Sequence, residues 1–332
     1  LKVGQQATVR CDACGDPIPV RIDYISTQAE YTPPVIYSRE TRGKLVYMVE
    51  ARPAPQAATS SVSASAASST QAMIYYLDVG QGDSELIRLP GGENVLIDTG
   101  TGETADKLVS LLQELGVKRV DHLIATHPHE DHIGGMESVV RKIPVGKIYM
   151  PKVADKQIPT TRTYEGLIDA ISDKKLKITQ AKAGMTIPLS GQAKLELLAP
   201  NGTQYDDLNN YSVVAKLTYG QKTFLFTGDA EKLSEKEMLN KNYDLKCDVL
   251  KCGHHGSSSS TSAAFLKAVS PQFAVISCGL NNDYGHPNKE VLSRLQKAGV
   301  KVYRTDLQGT ILARCDGRSI TFETGQKSLV KD

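Results

Sequence analysis

Apolar and polar positions along this chain fall into short runs that predict strands and helices in turn. Met73 to Val79, Glu85 to Leu89 and Asn94 to Ile97 read as strands, the first two joined by a turn at Gly80-Gln81-Gly82. Thr104 to Leu115 places Leu108, Leu111, Leu112 and Leu115 on one helical face, and Gly116 stops it. Val120 to Ala125 predicts a buried strand, and Gly134-Gly135 followed by Met136 to Val140 predicts the start of a helix. The second half repeats this logic. Lys194 to Leu198, Val213 to Tyr219, Thr223 to Thr227, Asp248 to Lys251 and Phe273 to Ser277 are strand-like. Glu231 to Leu239, Ser262 to Val269 and Lys289 to Ala298 are helix-like. Strands broken by helices twice over predict an α/β fold, a four-layer αββα sandwich with its site where loops gather at one sheet edge.

The pattern changes upstream. Thr8 to Val49 alternates like short strands, and Arg52-Pro53-Ala54-Pro55 then opens a Ser/Ala/Thr-rich tract from Ala57 to Thr70. That tract has no charge and Val62 as its single large apolar residue, so it cannot bury enough surface to offset its ordering entropy and reads as a flexible linker. The expected organisation is a β-rich fragment over 1–55, a linker over 56–72, the main α/β domain over 73–323 and a tail over 324–332. Leu1 in place of Met, with no signal peptide, points to a fragment, a processed chain or a cloning junction.

Composition adds bounds. With 332 residues and 40% hydrophobic content the chain can build a sizeable core. No run of about 18 apolar residues exists to span a membrane. The six cysteines are too sparse for a disulfide-built scaffold, and Cys11-x-x-Cys14 lacks a second pair at zinc-ribbon spacing. A net charge of +2 argues neither for nor against nucleic acid. Between Arg141 and Lys182, however, ten basic residues face four acidic ones. This is either a solvated face or a flank that would draw a polyanion towards a nearby site.

The chemistry concentrates in Thr126-His127-Pro128-His129-Glu130-Asp131-His132-Ile133-Gly134-Gly135, on a predicted strand-to-helix loop. Four of the seven histidines lie between His122 and His132. His127 and His129 are two apart, so on an extended loop they face the same way and can grip one ion, while Asp131 and His132 are aimed at a second. Imidazole and carboxylate at this density suit zinc or a similar divalent ion, and two ions about 3.5–4 Å apart suit hydrolysis of phosphate or acyl bonds.

These residues resemble the signature of the metallo-β-lactamase fold superfamily. Leu77-Asp78-Val79-Gly80-Gln81-Gly82-Asp83-Ser84, Leu96-Ile97-Asp98-Thr99-Gly100, Phe226-Thr227-Gly228-Asp229-Ala230, His254-His255-Gly256-Ser257, Asn281 to Pro287 and Tyr303-Arg304-Thr305-Asp306 narrow the resemblance. Together, from about Met73 to about Glu323, they look like the soluble hydrolase domain attached to ComEC-type DNA-uptake proteins. Tyr24 to Pro34 with Thr41 to Val46 is similar to the end of HlyD-type periplasmic adaptor proteins, a stretch that carries no chemistry there.

The resemblance implies the same four-layer fold and a set of ligands. Asp229 would bridge two cations; read alone, it also suits a cap for the helix at Glu231. His286 would be the last histidine ligand of the second ion, against a loop histidine at the surface. Of His254 and His255, His254 is the better ligand by resemblance and His255 a candidate proton donor to the leaving oxygen. Asp131 is a candidate to accept the proton of the attacking water. Asp98 is expected to orient ligand histidines by hydrogen bonds. Asp78 and Gln81 either do similar work or shape the Gly80–Gly82 turn. Where many superfamily members carry another histidine this chain has Asn209-Asn210-Tyr211-Ser212, as ComEC-type domains do. The poorer nitrogen shell leaves zinc and manganese both open as the metal.

The expected function is metal-dependent hydrolysis, first as a phosphodiesterase or nuclease acting on DNA, single strands foremost, outside the cytoplasm (in the periplasm) as the resemblance implies. The alternatives are a small-molecule hydrolase of the same fold, acting on a lactone, β-lactam or phosphotriester, and a binding protein with a dead hydrolase domain. An intact Asp131, His132 and Asp229 argue against the last. The first predicts a basic, open groove and the second a closed, apolar pocket. With no Trp and few Phe, little material is available for base stacking.

Overall fold

The alternation in the first fifty residues forms three strands, β1 (Gln6–Val9), β2 (Ile18–Glu30) and β3 (Val46–Pro53), in one antiparallel sheet of that order. In the computed structural model the described residues are 2, 5–9, 18–30, 46–53, 71–326 and 328–330. The chain divides into two units, Leu1–Ala67 and Ser68–Asp332. Cys11, Cys14, the tract from Ala57 to Thr70 and most of the adaptor-like segment lie outside the described residues.

In the larger unit β4 (Ala72–Tyr76), β5 (Glu85–Arg88) and β6 (Asn94–Ile97) form an antiparallel meander. Helix α1 (Ala105–Glu114) leads to β7 (Val120–Ile124), α2 (Glu130–Ile133) and α3 (Met136–Lys142) to β8 (Val145–Pro151), and α4 (Arg162–Asp173) to β9 (Ile178–Ala181). From β6 to β9 the strands run parallel. The second sheet repeats the plan. Antiparallel β10 (Thr186–Pro188), β11 (Ala193–Ala199), β12 (Val214–Tyr219) and β13 (Lys222–Phe226) are followed by α5 (Lys232–Asn240), β14 (Val249–Lys251), α6 (Ala263–Val269), β15 (Phe273–Ile276), α7 (Lys289–Lys297) and β16 (Lys301–Arg304), with β13 to β16 parallel. The chain then returns through α8 (Thr305–Gln308) to β17 (Thr310–Cys315) and β18 (Ile320–Gln326), with β17 pairing β4.

Side-chain alternation explains the layering. Val95 and Ile97 face the other sheet and pack with Leu217, Phe224 and Phe226, whereas Leu96 faces the helices and packs with Leu108, Leu112 and Met136. On the second sheet Leu225 and Leu250 meet Met238, Phe265 and Leu295. Strands covered on both faces need apolar residues at every position, which is why they read as continuous runs. Two sheets face to face, each backed by helices, make the four-layer αββα sandwich.

Two stretches carry elements that their composition hides. Helix α4 buries Leu167, Ala170 and Ile171 inside the basic run, and Thr161 Oγ1 caps it by accepting from Tyr164 N–H. The strand β18 runs to Gln326, and beyond it Leu329 is buried, its N–H donating to Asp78 O. The described cysteines Cys247, Cys252, Cys278 and Cys315 are free and buried.

Candidate metal centre

The C-terminal ends of the parallel strands deliver the polar residues. Asp98 follows β6, His127 to His132 follow β7, Asp229 follows β13, His254-His255 follow β14 and His286 follows β15. All belong to loops at the same end of the two sheets, where such crossovers leave a crevice.

The centre is built around one carboxylate oxygen. Asp229 Oδ2 lies 3.3 Å from His132 Nε2, 3.5 Å from His255 Nε2, 3.8 Å from His254 Nε2 and 4.0 Å from His127 Nε2. Ligand atoms of Asp131, His132, Asp229 and His255 all lie within 4.8 Å of one another. On the other side His127 Nε2 and His129 Nδ1 are 3.0 Å apart. Gly228 makes the approach of Asp229 possible: its φ is +48°, and a Cβ there would sit 2.8 Å from Thr126 Cβ.

Each imidazole is held from behind. His132 Nδ1–H donates to Asp98 Oδ2 at 2.7 Å, and Thr126 donates to both Asp98 oxygens. Nε2 of His132 is thereby turned towards Asp229. Nδ1 of His127 lies 3.1 Å from Thr126 Oγ1 and 3.3 Å from Ser212 Oγ, and Ser212 Oγ accepts from Asp229 N–H. Ser212 thus links His127 to the backbone N–H of Asp229, a role its hydroxyl does not advertise in the sequence.

His254 and His255 part company because both adopt left-handed backbone angles, φ 51° and 52°. The sharp turn sends His255 inward, its side chain 2% exposed, and leaves His254 at the rim, 24% exposed. Nδ1 of His255 faces Ser277 O at 3.0 Å and Asp83 Oδ1 at 3.2 Å, while Nε2 is 3.1 Å from Asp131 Oδ2. His254 Nδ1 faces Ser259 Oγ and Glu231 Oε1. The four-residue cluster therefore contains His255, and His254 reaches Asp229 from outside it.

The remaining candidates are spread around this core. His286 lines the same cleft, its ring centroid 5.6 Å from that of His254. Asn209 also lines the cleft, whereas Asn210 is turned to α5, accepting from Ser234 N–H and donating to Glu231. Asp78 accepts from Gly80 N–H within the turn and stands apart from the cluster. Gln81 Oε1 accepts from Gly279 N–H, tying that turn to the loop before His286.

Behind the cluster lies a charge network that the sequence pattern conceals. Lys251, fully buried at the end of β14, donates to Asp83 Oδ2 and, at 3.4 Å, to Gly228 O. Asp83 in turn faces His255. Burial works against charge on Lys251, but Asp83, Glu85 and Asp229 hold its pKa above the usual lysine value. Burial, with Asp83 close by, pushes Glu85 well above the usual carboxylate range.

These residues fit divalent ions. Two buried atoms of cluster residues, His132 Nε2 and Asp229 Oδ1, have no hydrogen-bond partner among the described residues. The carboxylates also draw positive charge into the centre. Burial opposes a charge on His132 and His255, yet Asp229 with Asp131 and Asp98, or with Asp83, raises both pKa values well above the usual imidazole range. His127 is instead driven down, by burial first and by His132 second, and His286 is pushed down to about 4 for want of solvent. A mixed set of imidazole nitrogens and carboxylate oxygens suits zinc or manganese.

Fold and centre together define a metal-dependent hydrolase scaffold, and residues 77–279 match the metallo-beta-lactamase superfamily, to which the chain belongs. It is similar to ComE operon protein 3 of Bacillus subtilis (strain 168), 33% identical over 273 residues, covering 76% of this chain and 34% of that protein. It is also similar to competence protein ComA of Neisseria gonorrhoeae, 35% identical over 243 residues, covering 73% and 32%. The chain thus spans about a third of the length of these curated relatives. Among solved structures, CmlA, a diiron β-hydroxylase from Streptomyces venezuelae, superposes with a TM-score of 0.50 at 15% identity, covering 76% of this chain and 54% of that one, a likeness of fold alone.

Proposed function

We propose that the chain is a metal-dependent phosphodiesterase that cleaves DNA, single strands foremost, with two zinc or manganese ions and a place of work outside the cytoplasm. The observation that carries this reading is the cleft over the cluster. It measures about 330 Å³ and is lined by polar and charged groups, Gln81, Glu130, Asp131, Asn209, Asp229 and four histidines among them, with Tyr284 as its aromatic wall. A closed apolar pocket, as a lactone or β-lactam would favour, is not what surrounds these ligands. The resemblance to the hydrolase domain of ComEC-type DNA-uptake proteins supports a DNA-related role, and one relative is named a competence protein. The extracytoplasmic location rests on the resemblances of the hydrolase and adaptor-like segments.

His127 and His129 with Asp229 would hold one ion, and Asp131, His132 and Asp229 the other, with His255, His254 and His286 around them. When bound, the ions would activate water and neutralise charge developing on the phosphate oxygens. The chain's own groups do the rest. Asp131 faces the cleft and can take the proton of the attacking water. His255, backed at Nδ1 by Asp83 and Ser277, presents Nε2 to the cleft, where a proton can pass to the leaving oxygen.

The test is degradation of end-labelled single-stranded DNA by metal-stripped protein reloaded with manganese or zinc. Cleavage is expected from the parent, and Asp131→Ala should be slower by at least about 100-fold, the upper end of what loss of a supporting group costs. No cleavage from protein shown to hold its ions would overturn the reading and favour small esters.

Tyr284 gives a second expected result. It is 72% exposed, yet Asn282 fixes its loop by bonds to Gly279 O, His286 O and His286 N, and its ring lies stacked on His286 at 5.8 Å. An ordered, exposed ring beside a hydrolytic centre is a platform for a nucleobase. Tyr284→Ala should weaken binding of a single-stranded oligonucleotide by about 1–3 kcal/mol, Tyr284→Phe should preserve it, and an abasic oligonucleotide should not register either change. Equal binding of abasic and base-bearing strands by the parent would remove the platform.

A further inference from the structure

A second cavity, of about 610 Å³, opens between the loop after β8, the end of β9 and the loop joining β11 to β12. Lys152, Lys182 and Lys241 line it, with Asp155 as the opposing charge. The three lysines are exposed, and none has an ion-pair partner among the described residues. They come from three separate elements, the ends of β8, β9 and α5, so their meeting is not the ordinary polar face of one helix. Two of them belong to the basic run between Arg141 and Lys182, which the metal centre does not use.

This groove shares a wall with the metal cleft. The loop after β11 lines the groove through Pro200 to Gln204 and the cleft through Asn209. Tyr211, fully buried, fixes the wall: its hydroxyl accepts from Ala154 N–H at 3.3 Å and Tyr205 N–H at 3.1 Å and donates to Gln157 Oε1 at 3.0 Å. Gln157 Nε2 donates back to Asp206 O. At its far end the same loop is bound to the ligand loop, Val213 N–H donating to Thr126 O. Groove and cleft are thereby held at the two ends of one braced loop.

We infer that the groove binds the sugar–phosphate backbone of a single-stranded nucleic acid whose scissile phosphate lies in the metal cleft. The inference rests on the nucleic-acid reading of that cleft. A flexible strand can follow a concave basic groove around the braced loop, whereas a duplex presents its phosphates on a rigid convex cylinder. A small ester that fills the cleft does not reach the lysines. Substrate length then sets affinity, and the cleft alone sets the chemistry.

The experiment is fluorescence anisotropy of a labelled fifteen-nucleotide thymidine strand against the full chain, titrated at several salt concentrations. The variant Lys152→Gln/Lys182→Gln/Lys241→Gln is compared with Lys118→Gln/Lys232→Gln/Lys297→Gln, which removes the same charge from exposed sites elsewhere. Loss of three phosphate contacts should flatten the slope of log K against log salt by about 2 in the groove variant alone. Hydrolysis of bis(p-nitrophenyl) phosphate should stay at the parent's rate. Equal loss in both variants, parental binding too weak to measure, or a duplex bound as tightly as the strand would each overturn the groove. These results are independent of cleavage: a parent that binds through the groove but cuts neither DNA nor the small diester would instead overturn the catalytic reading.

Discussion

Asp229→Asn should strip the centre of its ions and reduce hydrolysis by at least about 100-fold, beyond the range typical of supporting groups. The substitution keeps shape and removes charge at the one oxygen that four imidazoles approach, at 3.3 to 4.0 Å. An amide cannot bridge two cations as a carboxylate does, and its NH₂ would face imidazole nitrogens. Elemental analysis of protein dialysed against limiting metal would measure the loss. Unfolding supplies a readout free of catalysis. Metal present at 100 times its Kd stabilises a folded protein by about 2.7 kcal/mol, and that increment should appear in the parent and vanish in the variant. Full metal content in Asp229→Asn would overturn the proposed bridge, and no cap is left as its alternative, since Glu231 and not Asp229 is the N-cap of α5.

The difference between what could and could not be read from the sequence is physical. His127 to His132 are legible because their spacing is local: a loop after an apolar strand, with its donors two, four and five positions apart, says what it can grip. The strands announce themselves because burial on both faces demands unbroken apolar runs. The choice between His254 and His255 is not legible. Adjacent residues diverge only through the left-handed backbone at both, and no side-chain pattern states that angle. Ser212 is hidden for another reason, since one hydroxyl matters only when a distant histidine and a backbone N–H meet it. Helix α4 is masked because its narrow apolar face, Leu167, Ala170 and Ile171, lies within a run rich in charged residues. Tyr284 runs against the composition, which offers few aromatic rings; a single ring on a braced loop is enough to matter where it overhangs the centre.

Lys251 is hidden in the sequence, and its removal is expected to have the second large effect. At the end of Val249-Leu250-Lys251 it looks like the polar residue that closes a strand, but its ammonium is wholly buried against Asp83. Lys251→Met should lower stability by about 3 kcal/mol, because the buried carboxylate of Asp83, beside Glu85, loses its ammonium partner and keeps only the His255 imidazole. Urea unfolding followed by circular dichroism would measure it. The double variant Lys251→Met/Asp83→Asn separates fold from function. Neutralising both partners removes the uncompensated charge, so much of the stability should return. Activity should not, since His255 would lose the carboxylate behind Nδ1 and keep only Ser277 O. Parental stability in Lys251→Met would mean that Asp83 takes up a proton at little cost. Parental activity in the double variant would mean that the carboxylate does nothing for His255, leaving the Lys251–Asp83 pair as a part of the core and not of the centre it adjoins.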